Sequence, residues 1–243
     1  MKRLKNLDDS EICYGIYALY IKRFLDLLLS VTGLIFLSPF LLVIYILIRI
    51  NLGKPVFFKQ IRCGRDEKPF EMLKFRTMTD TRDSCGNLLP DTERFTKLGN
   101  FLRDYSLDEL PEIVNVIKGD MSIIGPRPLY TFYVPYYSDE EALRHVVRGG
   151  ITGLAQVNGR ALCKWDERFS LDVKYVKNIT FINDLKILCK TIYNVFNKKD
   201  IGIPSVTEEG GLHIVRDVKR PDHIIQLNEG KNIPVFVQHT KKN

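Results

Sequence analysis

The sequence predicts a mainly helical α+β fold in which an apolar helix, broken near its centre, precedes a small domain with a short β-hairpin. An uncharged apolar stretch, residues 27–48, predicts the helix. Two short runs rich in aromatic residues, joined by the turn-rich CGRDEKP, predict the hairpin. Apolar residues at helical spacing in two later segments, and proline and glycine helix signals in a third, predict that helices make up most of the remaining domain.

The apolar stretch is 22 residues long, which is enough for a membrane helix. Ser38-Pro39 lies at its centre, where proline removes a backbone donor and predicts a sharp bend, with the serine hydroxyl available to a freed backbone group. Both flanks are basic, and the positive-inside rule favours the cytoplasmic side for each; the residues are Lys22, Arg23, Arg49, Lys54 and Lys59. These features favour a re-entrant helix-break-helix, although hydropathy alone equally allows a straight transmembrane helix.

The hairpin follows the apolar stretch. Strands are predicted at residues 56–58 and 70–75, and a polar loop is predicted at residues 79–91. A helix is then predicted from apolar residues at helical spacing, which are Phe95, Leu98, Phe101 and Leu102.

A further helix is predicted at residues 111–118, because proline suits the first helical turn and Gly119 suits the helix end. The alternative is a capping box of Ser106 and Glu109, which places Pro111 inside the helix and is less favoured. Residues 149–160 contain four glycines and predict a backbone-rich turn. Residues 172–199 predict an amphipathic helix that is broken near Thr180.

The apolar stripe of this last helix has two interpretations, core packing or contact with a membrane interface. Its members are Ile182, Leu185, Cys189, Ile192 and Phe196. The chain therefore divides into an N-terminal extension (residues 1–21), a re-entrant membrane helix (22–50), a domain that carries the chemistry (51–200) and a C-terminal extension with little regular structure (201–243).

The net charge of +7 favours anionic partners such as nucleic acid, acidic lipid headgroups or phosphorylated substrates. The basic residues form no continuous stripe with interleaved aromatic residues, so no nucleic-acid partner is expected. The five cysteines are widely spaced without a C-x-x-C pair, and no H-E-x-x-H occurs. This pattern indicates a reducing compartment and argues against a disulfide framework or a zinc site.

The adjacent carboxylates Asp108 and Glu109 are the best candidates for catalytic residues. They precede a predicted helix start, where free backbone N–H groups and the helix dipole favour an anion such as a transferred phosphate. A carboxylate can attack phosphorus to form an acyl-phosphate, and its neighbour can help to hold Mg²⁺. Acidic residues also occur in first turns for helix stability alone, and this alternative stays open at this point.

Four basic residues are candidates for binding phosphate. Arg127 lies between two prolines that restrict its backbone and can aim the guanidinium at a phosphate. Lys74 and Arg76 alternate along the second strand and so share one face, and Arg103 precedes the carboxylates by one or two helical turns. Each of the four equally suits a solvated surface charge. No Walker loop or G-x-G-x-x-G occurs, so a P-loop or Rossmann nucleotide site is not expected.

Long segments of the chain resemble the bacterial sugar transferase family, the monotopic polyprenyl-phosphate phosphoglycosyl transferases that start glycan assembly. The matching segments are KRFLDLLLSVTGLIFLSPFLLVIYILI, GKPVFFKQIRCGRDEKPFEMLKFRTM, LRDYSLDELPEIVNVIKGDMSIIGPRPL, RGGITGLAQVNGR and WDERFSLDVKYVKNITFINDLKILCKTI. They follow the family order and leave both termini outside the resemblance. Glu112, where many relatives have glutamine, is a mild variation.

The resemblance implies a re-entrant membrane helix broken at Ser38-Pro39, and a catalytic domain on the cytoplasmic face of the bacterial inner membrane. It implies a Mg²⁺-dependent enzyme that transfers a sugar-1-phosphate from a UDP-sugar to polyprenyl (undecaprenyl) phosphate and releases UMP. The implied partners are therefore the UDP-sugar donor, the polyprenyl-phosphate acceptor and the lipid bilayer.

By the same resemblance, Asp108 would attack the β-phosphate of the donor and form a covalent phosphosugar–aspartate intermediate. Glu109 would bind Mg²⁺ beside it, Arg103 would contact phosphate, and Arg127 would contact the nucleotide or its phosphates. The family's basic strand is matched by Lys74 and Arg76.

Two other functions stay open from the residues alone. One is a membrane-tethered phosphohydrolase that uses the same aspartate and transfers to water, and the other is a non-enzymatic protein that binds anionic lipid. No motif encodes the identity of the sugar. Apolar residues in the tail raise the hypothesis of a homodimer; they are Ile224, Ile225, Val235, Phe236 and Val237.

Overall fold

The computed structural model describes residues 15–159, 164–197 and 211–220, and helices predominate within these ranges. The helices are α1 (Lys22–Asn51), α2 (Asp91–Arg94), α3 (Lys97–Asp104), α4 (Glu112–Lys118), α5 (Asp139–Ala142), α6 (Leu154–Asn158), α7 (Trp165–Lys177), α8 (Phe181–Phe196) and α9 (Leu212–Val215). The strands are β1 (Phe57–Cys63), β2 (Pro69–Phe75), β3 (Met121–Ile124) and β4 (Gly149–Thr152). Strands β1 and β2 pair antiparallel, and β3 and β4 pair parallel. The mainly helical α+β prediction is confirmed.

Helix α1 is continuous through Ser38-Pro39, so the prediction of two helices separated by a break is corrected. Proline at position 39 cannot donate to the carbonyl oxygen of Ile35, four residues earlier. The hydroxyl of Ser38 donates to that oxygen instead, at 2.8 Å. The helix therefore loses one backbone hydrogen bond and keeps the acceptor satisfied, which is the role the sequence predicted for the serine.

The N-terminal end of α1 is held by polar contacts to the domain that follows it. The buried carboxylate of Asp26 accepts hydrogen bonds from Ser122 Oγ (2.8 Å) and from the backbone N–H of Ile123 (3.1 Å). Arg23 donates to the carbonyl oxygen of Val116 at 2.8 Å. These contacts fix the start of the helix against α4 and β3.

The C-terminal end of α1 is held by apolar contacts to the same domain. Ile44 and Ile48 are buried in a cluster with Val56, Phe75 and Leu102. Between the two anchored ends, residues 31–43 contain no buried side chain. Both ends of the helix therefore contact one domain, while most apolar side chains of the middle are exposed.

The β1–β2 hairpin confirms the two predicted strands, although β1 extends to Cys63. The register pairs Phe58 with Lys74 and Gln60 with Met72. Residues opposite each other in an antiparallel pair lie on the same face. The hairpin therefore presents Lys74 on the face that carries the even-numbered residues of β1.

The turn predicted at residues 149–160 is wrong, because this segment forms β4 and then α6. Strand β4 lies against the backbone that follows β3, with Gly125 N–H donating to Thr152 O at 2.8 Å. A Cβ atom on Gly150 would lie 2.1 Å from the nitrogen of Gly125, so only glycine permits this approach. The glycines that suggested a turn thus allow two backbones to touch.

The other helix predictions agree with the structure. Helix α4 ends at Gly119, which has a left-handed backbone with φ of 97°. The predicted break near Thr180 separates α7 from α8, and the Thr180 side chain accepts from Asn183 N–H as an N-cap. The predicted loop at residues 79–91 has no regular helix or strand before Asp91.

The apolar stripe of α8 faces outward rather than into the core. Ile182, Leu185 and Ile192 are exposed, whereas Ile187 is buried. Core packing is therefore excluded for these three residues, and contact with a membrane interface stays a prediction.

The described part of the C-terminal extension, residues 211–220, packs on the domain and contains one short helix, α9. Leu212 of α9 is fully buried in an aromatic cluster with Tyr133 and Trp165. Arg216 forms an ion pair with Glu141 at 2.8 Å. The tail residues proposed to form a homodimer lie outside the described residues.

We predict that Gly150→Ala lowers the free energy of unfolding by about 1–3 kcal/mol, because the added methyl group forces β4 away from Gly125. The melting temperature of the detergent-solubilised protein measures this change. Gly33→Ala is the matched control, because a Cβ atom at Gly33 meets nothing within 4 Å. A melting temperature for Gly150→Ala equal to that of the wild type would contradict the prediction.

Candidate active site

The carboxylates of Asp108 and Glu109 lie on a short 3-10 turn, Leu107–Glu109, between α3 and α4. Ser106 precedes the turn with a left-handed backbone (φ of 54°), which redirects the chain after α3. Leu107 and Leu110 pack against the apolar cluster that also holds the end of α1. The apolar residues of the turn thus anchor it and fix the position of the two carboxylates.

Glu109 is held by two cations from different elements. Lys74 Nζ, from β2, lies 2.7 Å from Glu109 Oε1, and Arg127 donates to the same oxygen. Burial favours the neutral acid, but the charges of Arg127 and Lys74 outweigh it and lower the pKa of Glu109 to about 2. Glu109 is therefore ionised throughout the physiological pH range.

Asp108 is half-buried, and its carboxylate forms no hydrogen bond or ion pair with another residue in the part of the chain that the structure describes. Burial and the charge of Glu109 raise the pKa of Asp108 to about 6, against the attraction of nearby cations, chiefly Lys74. The two neighbours thus differ. Glu109 is paired with two cations, whereas the Asp108 carboxylate is uncommitted, which means that it has no ion-pair or hydrogen-bond partner among the described residues, and it is mostly ionised at neutral pH. An uncommitted carboxylate keeps a lone pair available for attack on phosphorus.

A third carboxylate, Glu112, belongs to this site and was not among the predicted site residues. It is the first residue of α4 and is 0% exposed. Its Oε1 lies 3.5 Å from Lys74 Nζ and 3.6 Å from Arg127 Nη2. Burial raises the pKa of Glu112 to about 7, although Arg127 acts in the opposite direction. Its spacing of three residues from Glu109 was the available sequence signal, because such residues share a helix face.

Arg127 is fixed through its backbone and its side chain. Arg144 and Asp172 form a fully buried ion pair at 2.9 Å, and Arg144 also donates to the carbonyl oxygen of Arg127 at 2.6 Å. The guanidinium of Arg127 donates to Ile151 O at 3.2 Å, in β4. The close approach of β3 and β4 therefore sets the direction of Arg127 toward Glu109.

Arg103 and Arg76 lie differently relative to the carboxylates. Arg103 stacks over the ring of Phe95 at 4.6 Å and lowers the pKa of Asp108 through its charge. Arg76 follows the last residue of β2 and forms an ion pair with Asp80 at 2.6 Å. The structure brings Lys74 and Arg127 into contact with Glu109, holds Arg103 nearby, and directs Arg76 to the following loop. The substrate-binding role of Arg76 stays a prediction.

Arg62 is a second buried residue that the sequence analysis missed. Its guanidinium lies over the ring of Tyr130 at 3.8 Å, and its charge interacts with Glu109 and Glu112. The first strand was predicted only at residues 56–58, so no sequence signal indicated that Arg62 lies on β1, on the face that also carries Lys74 across the hairpin.

The pair of adjacent carboxylates fits a magnesium ion. Mg²⁺ binds through one or two carboxylates and keeps waters and substrate phosphates as its other ligands. Asp108 supplies an uncommitted carboxylate, and Glu109 an ionised one. Among the described residues no group of three or more histidine, cysteine, aspartate or glutamate side chains can hold a metal, so a site made by protein ligands alone is not found there.

The chain is similar to several proteins that are named as sugar transferases or sugar-phosphate transferases. It is 50% identical over 181 residues to the uncharacterized sugar transferase EpsL of Bacillus subtilis (strain 168), covering 74% of this chain and 90% of that protein. It is 40% identical over 188 residues to the UDP-glucose:undecaprenyl-phosphate glucose-1-phosphate transferase of Klebsiella pneumoniae. A UDP-N-acetylgalactosamine-undecaprenyl-phosphate N-acetylgalactosaminephosphotransferase of Aeromonas hydrophila is 38% identical over 188 residues.

The two transferases are longer than this chain. The similar region covers 73% of this chain and 40% of the Klebsiella protein, and 74% of this chain and 44% of the Aeromonas protein. The family model described as bacterial sugar transferase matches residues 17–198, which include α1, the hairpin, the carboxylates and Arg127. The resemblance stated from the sequence is confirmed. The chain therefore belongs to the bacterial sugar transferase family.

Proposed function

We propose that this transferase moves a sugar-1-phosphate from a UDP-sugar to polyprenyl phosphate, with release of UMP, through a covalent intermediate on Asp108. The observation that carries the proposal is the uncommitted carboxylate of Asp108 beside the Glu109–Lys74–Arg127 cluster. This arrangement offers a nucleophile next to fixed positive charge, which phosphoryl transfer requires.

The names of the relatives support the donor and acceptor classes. Two of them are named as enzymes that transfer a sugar phosphate from a UDP-sugar to undecaprenyl phosphate. Their sugars differ, glucose in one and N-acetylgalactosamine in the other, so the proposal leaves the sugar open. The reaction would start the assembly of a bacterial glycan on its lipid carrier.

In the first step, an oxygen of Asp108 attacks the β-phosphorus of the donor. The bond between the β-phosphorus and the bridging oxygen breaks, and UMP leaves with the electron pair. Lys74 and Arg127 supply positive charge for the phosphate oxygens and are already fixed before the donor binds. Mg²⁺ held by Asp108 and Glu109 would neutralise further charge on the diphosphate.

In the second step, a phosphate oxygen of the polyprenyl phosphate attacks the same phosphorus. The bond to Asp108 breaks, the polyprenyl-diphosphate sugar forms, and the carboxylate is regenerated. Because both steps use one nucleophile, donor and acceptor react in turn at one site.

The proposed membrane topology is a re-entrant helix with both ends on the cytoplasmic face of the inner membrane. The helical residues 17–51 are long and apolar enough to cross a membrane. Both ends of α1 contact the same domain, while the middle exposes large apolar residues such as Phe36. A continuous helix that bends at Pro39, where α1 lacks one backbone hydrogen bond, would enter and leave the bilayer on one side and would account for both observations. The exposed stripe of α8 suits the adjacent membrane interface.

We predict that Asp108→Asn lowers UMP release by at least about 10³-fold, since the amide cannot serve as the nucleophile. UMP is measured across a panel of UDP-sugars, with and without undecaprenyl phosphate. Without acceptor, the wild type incubated with its donor should gain the mass of one phosphosugar, and the variant should not. Asp91→Asn, the same change at an exposed carboxylate of α2, is the control and should keep wild-type activity.

The outcomes separate the alternative functions. UMP release that needs Asp108 but not lipid would indicate a phosphohydrolase. Lipid binding without UMP release from any donor would indicate a non-enzymatic protein. Wild-type rates in Asp108→Asn would contradict the role of this residue.

We predict that the residues before and after α1 lie on the same side of the membrane. Variants that keep only Cys13 or only Cys85 report on the two sides, since these positions flank the helix in the sequence. In spheroplasts, a membrane-impermeant maleimide should label neither cysteine until the membrane is permeabilised, and both afterwards. A protein with a periplasmic cysteine controls for reagent activity, and labelling of only one of the two positions would indicate a crossing helix.

A further inference from the structure

Arg62 is a buried cation whose partners are all neutral. It is 6% exposed, and its Nε and Nη2 donate to Gln60 Oε1 at 3.1 and 2.5 Å. Its guanidinium lies over the ring of Tyr130, 3.8 Å from the centroid. No carboxylate within the described ranges lies within ion-pair distance of Arg62, and Glu112 and Glu109 act on its charge only from farther away.

Three other buried or half-buried cations of this region each have a carboxylate partner. Lys74 and Arg127 contact Glu109, and Arg144 contacts Asp172. A buried charge without a counter-ion is costly, because it has lost its hydration. Burial accordingly lowers the pKa of Arg62, and the like charge of Arg127 acts in the same direction. An incoming anion would supply the missing counter-charge.

Arg62 is directed to the side of the hairpin that carries the site. The register pairs Arg62 with Phe70 and Phe58 with Lys74, so Arg62 and Lys74 share a face. Phe58 and Arg62 are four positions apart, which is about 13 Å along β1. The long side chains of Arg62 and Lys74 can therefore bracket one extended anion such as a diphosphate.

The two ends of the hairpin differ in what they contact. Phe57, at the start of β1, packs against Tyr45 of the apolar helix, with ring centroids 5.9 Å apart. Cys63, next to Arg62, lies in the aromatic cluster with Leu129 and Tyr133. Arg62 thus lies at the end of the hairpin away from α1, whereas a lipid-linked acceptor approaches from α1.

We propose that Arg62 binds a phosphoryl oxygen of the nucleotide half of the donor, the part that leaves as UMP. This proposal rests on the proposed function and adds a substrate-binding residue to it. Gln60 and Tyr130 hold the guanidinium before the donor arrives, so little side-chain entropy is lost on binding. Lys74, near Asp108, then faces the transferred phosphate, and Arg62 faces the departing one.

The test compares Arg62→Gln and Arg62→Lys with the wild type. Arg62→Gln should raise the donor KM and the UMP inhibition constant by about 10- to 100-fold, the range for hydrogen bonds to charged groups. The KM for undecaprenyl phosphate should stay within about twofold. Arg62→Lys keeps the charge but loses the planar fork, so its effect should be smaller. Lys59→Gln is the control, since Lys59 is exposed on the opposite face of β1 and pairs with Glu71.

Binding of UMP gives a readout that does not need catalysis. UMP should raise the melting temperature of the wild type and of Lys59→Gln, and this shift should be largely lost in Arg62→Gln. If Arg62→Gln does not fold, an at least fivefold weaker UMP affinity in Arg62→Lys supports the proposal, and an unchanged affinity overturns it. A raised acceptor KM with an unchanged donor KM also overturns it and assigns Arg62 to the acceptor phosphate. A wild type that binds UMP but releases none from any donor would refute the proposed function separately.

Discussion

The rest of the site depends on one electrostatic constraint, which is that two cations together neutralise two carboxylates inside the protein. Glu109 and Glu112 both lie within ion-pair distance of Lys74 and Arg127. The four residues come from three separate parts of the chain: β2, the segment around α4, and the loop between β3 and β4. Removing one partner from a buried ion pair typically costs about 3–5 kcal/mol, because a charge is left uncompensated. The cluster therefore holds these parts together and, in the same contacts, gives Asp108 its electrostatic surroundings.

The hairpin joins this cluster to the apolar helix. One end of the hairpin belongs to the apolar cluster around Ile48 and Phe75, and its inner face carries Lys74. At the other end of α1, Asp26 bonds to Ser122 and Ile123 of β3, the strand that leads to Arg127. The helix is thus connected to both cations through short stretches of rigid structure. Under the proposed function, this connection would fix the distance between the apolar helix and the charged site that the lipid-linked acceptor has to reach.

Much of this structure could be predicted from local sequence. Pro111 and Gly119 predicted where α4 begins and ends, and the adjacent carboxylates predicted a candidate site just before it. The prediction failed at residues 149–160, because glycine marks both turns and close backbone contacts, and only tertiary structure distinguishes them. The sequence predicted a break in the helix at Pro39, but the helix continues, because the hydroxyl of Ser38 donates the hydrogen bond that the proline nitrogen cannot. Glu112 and Arg62 were missed because their roles depend on burial, and a charged residue in a sequence is normally assigned to the surface.

The segment around α9 has a consequence for where this domain ends. The family match stops at residue 198, yet Leu212 fills the aromatic cluster, and the N–H groups of Lys219 and Arg220 both donate to Pro135 O. The region shared with relatives is therefore not the complete folding unit of this chain. A protein shortened to the shared region would expose Tyr133 and Trp165 to water and would risk aggregation for reasons unrelated to catalysis. The residues that match the family and the residues that complete the folded domain therefore end at different positions in this chain.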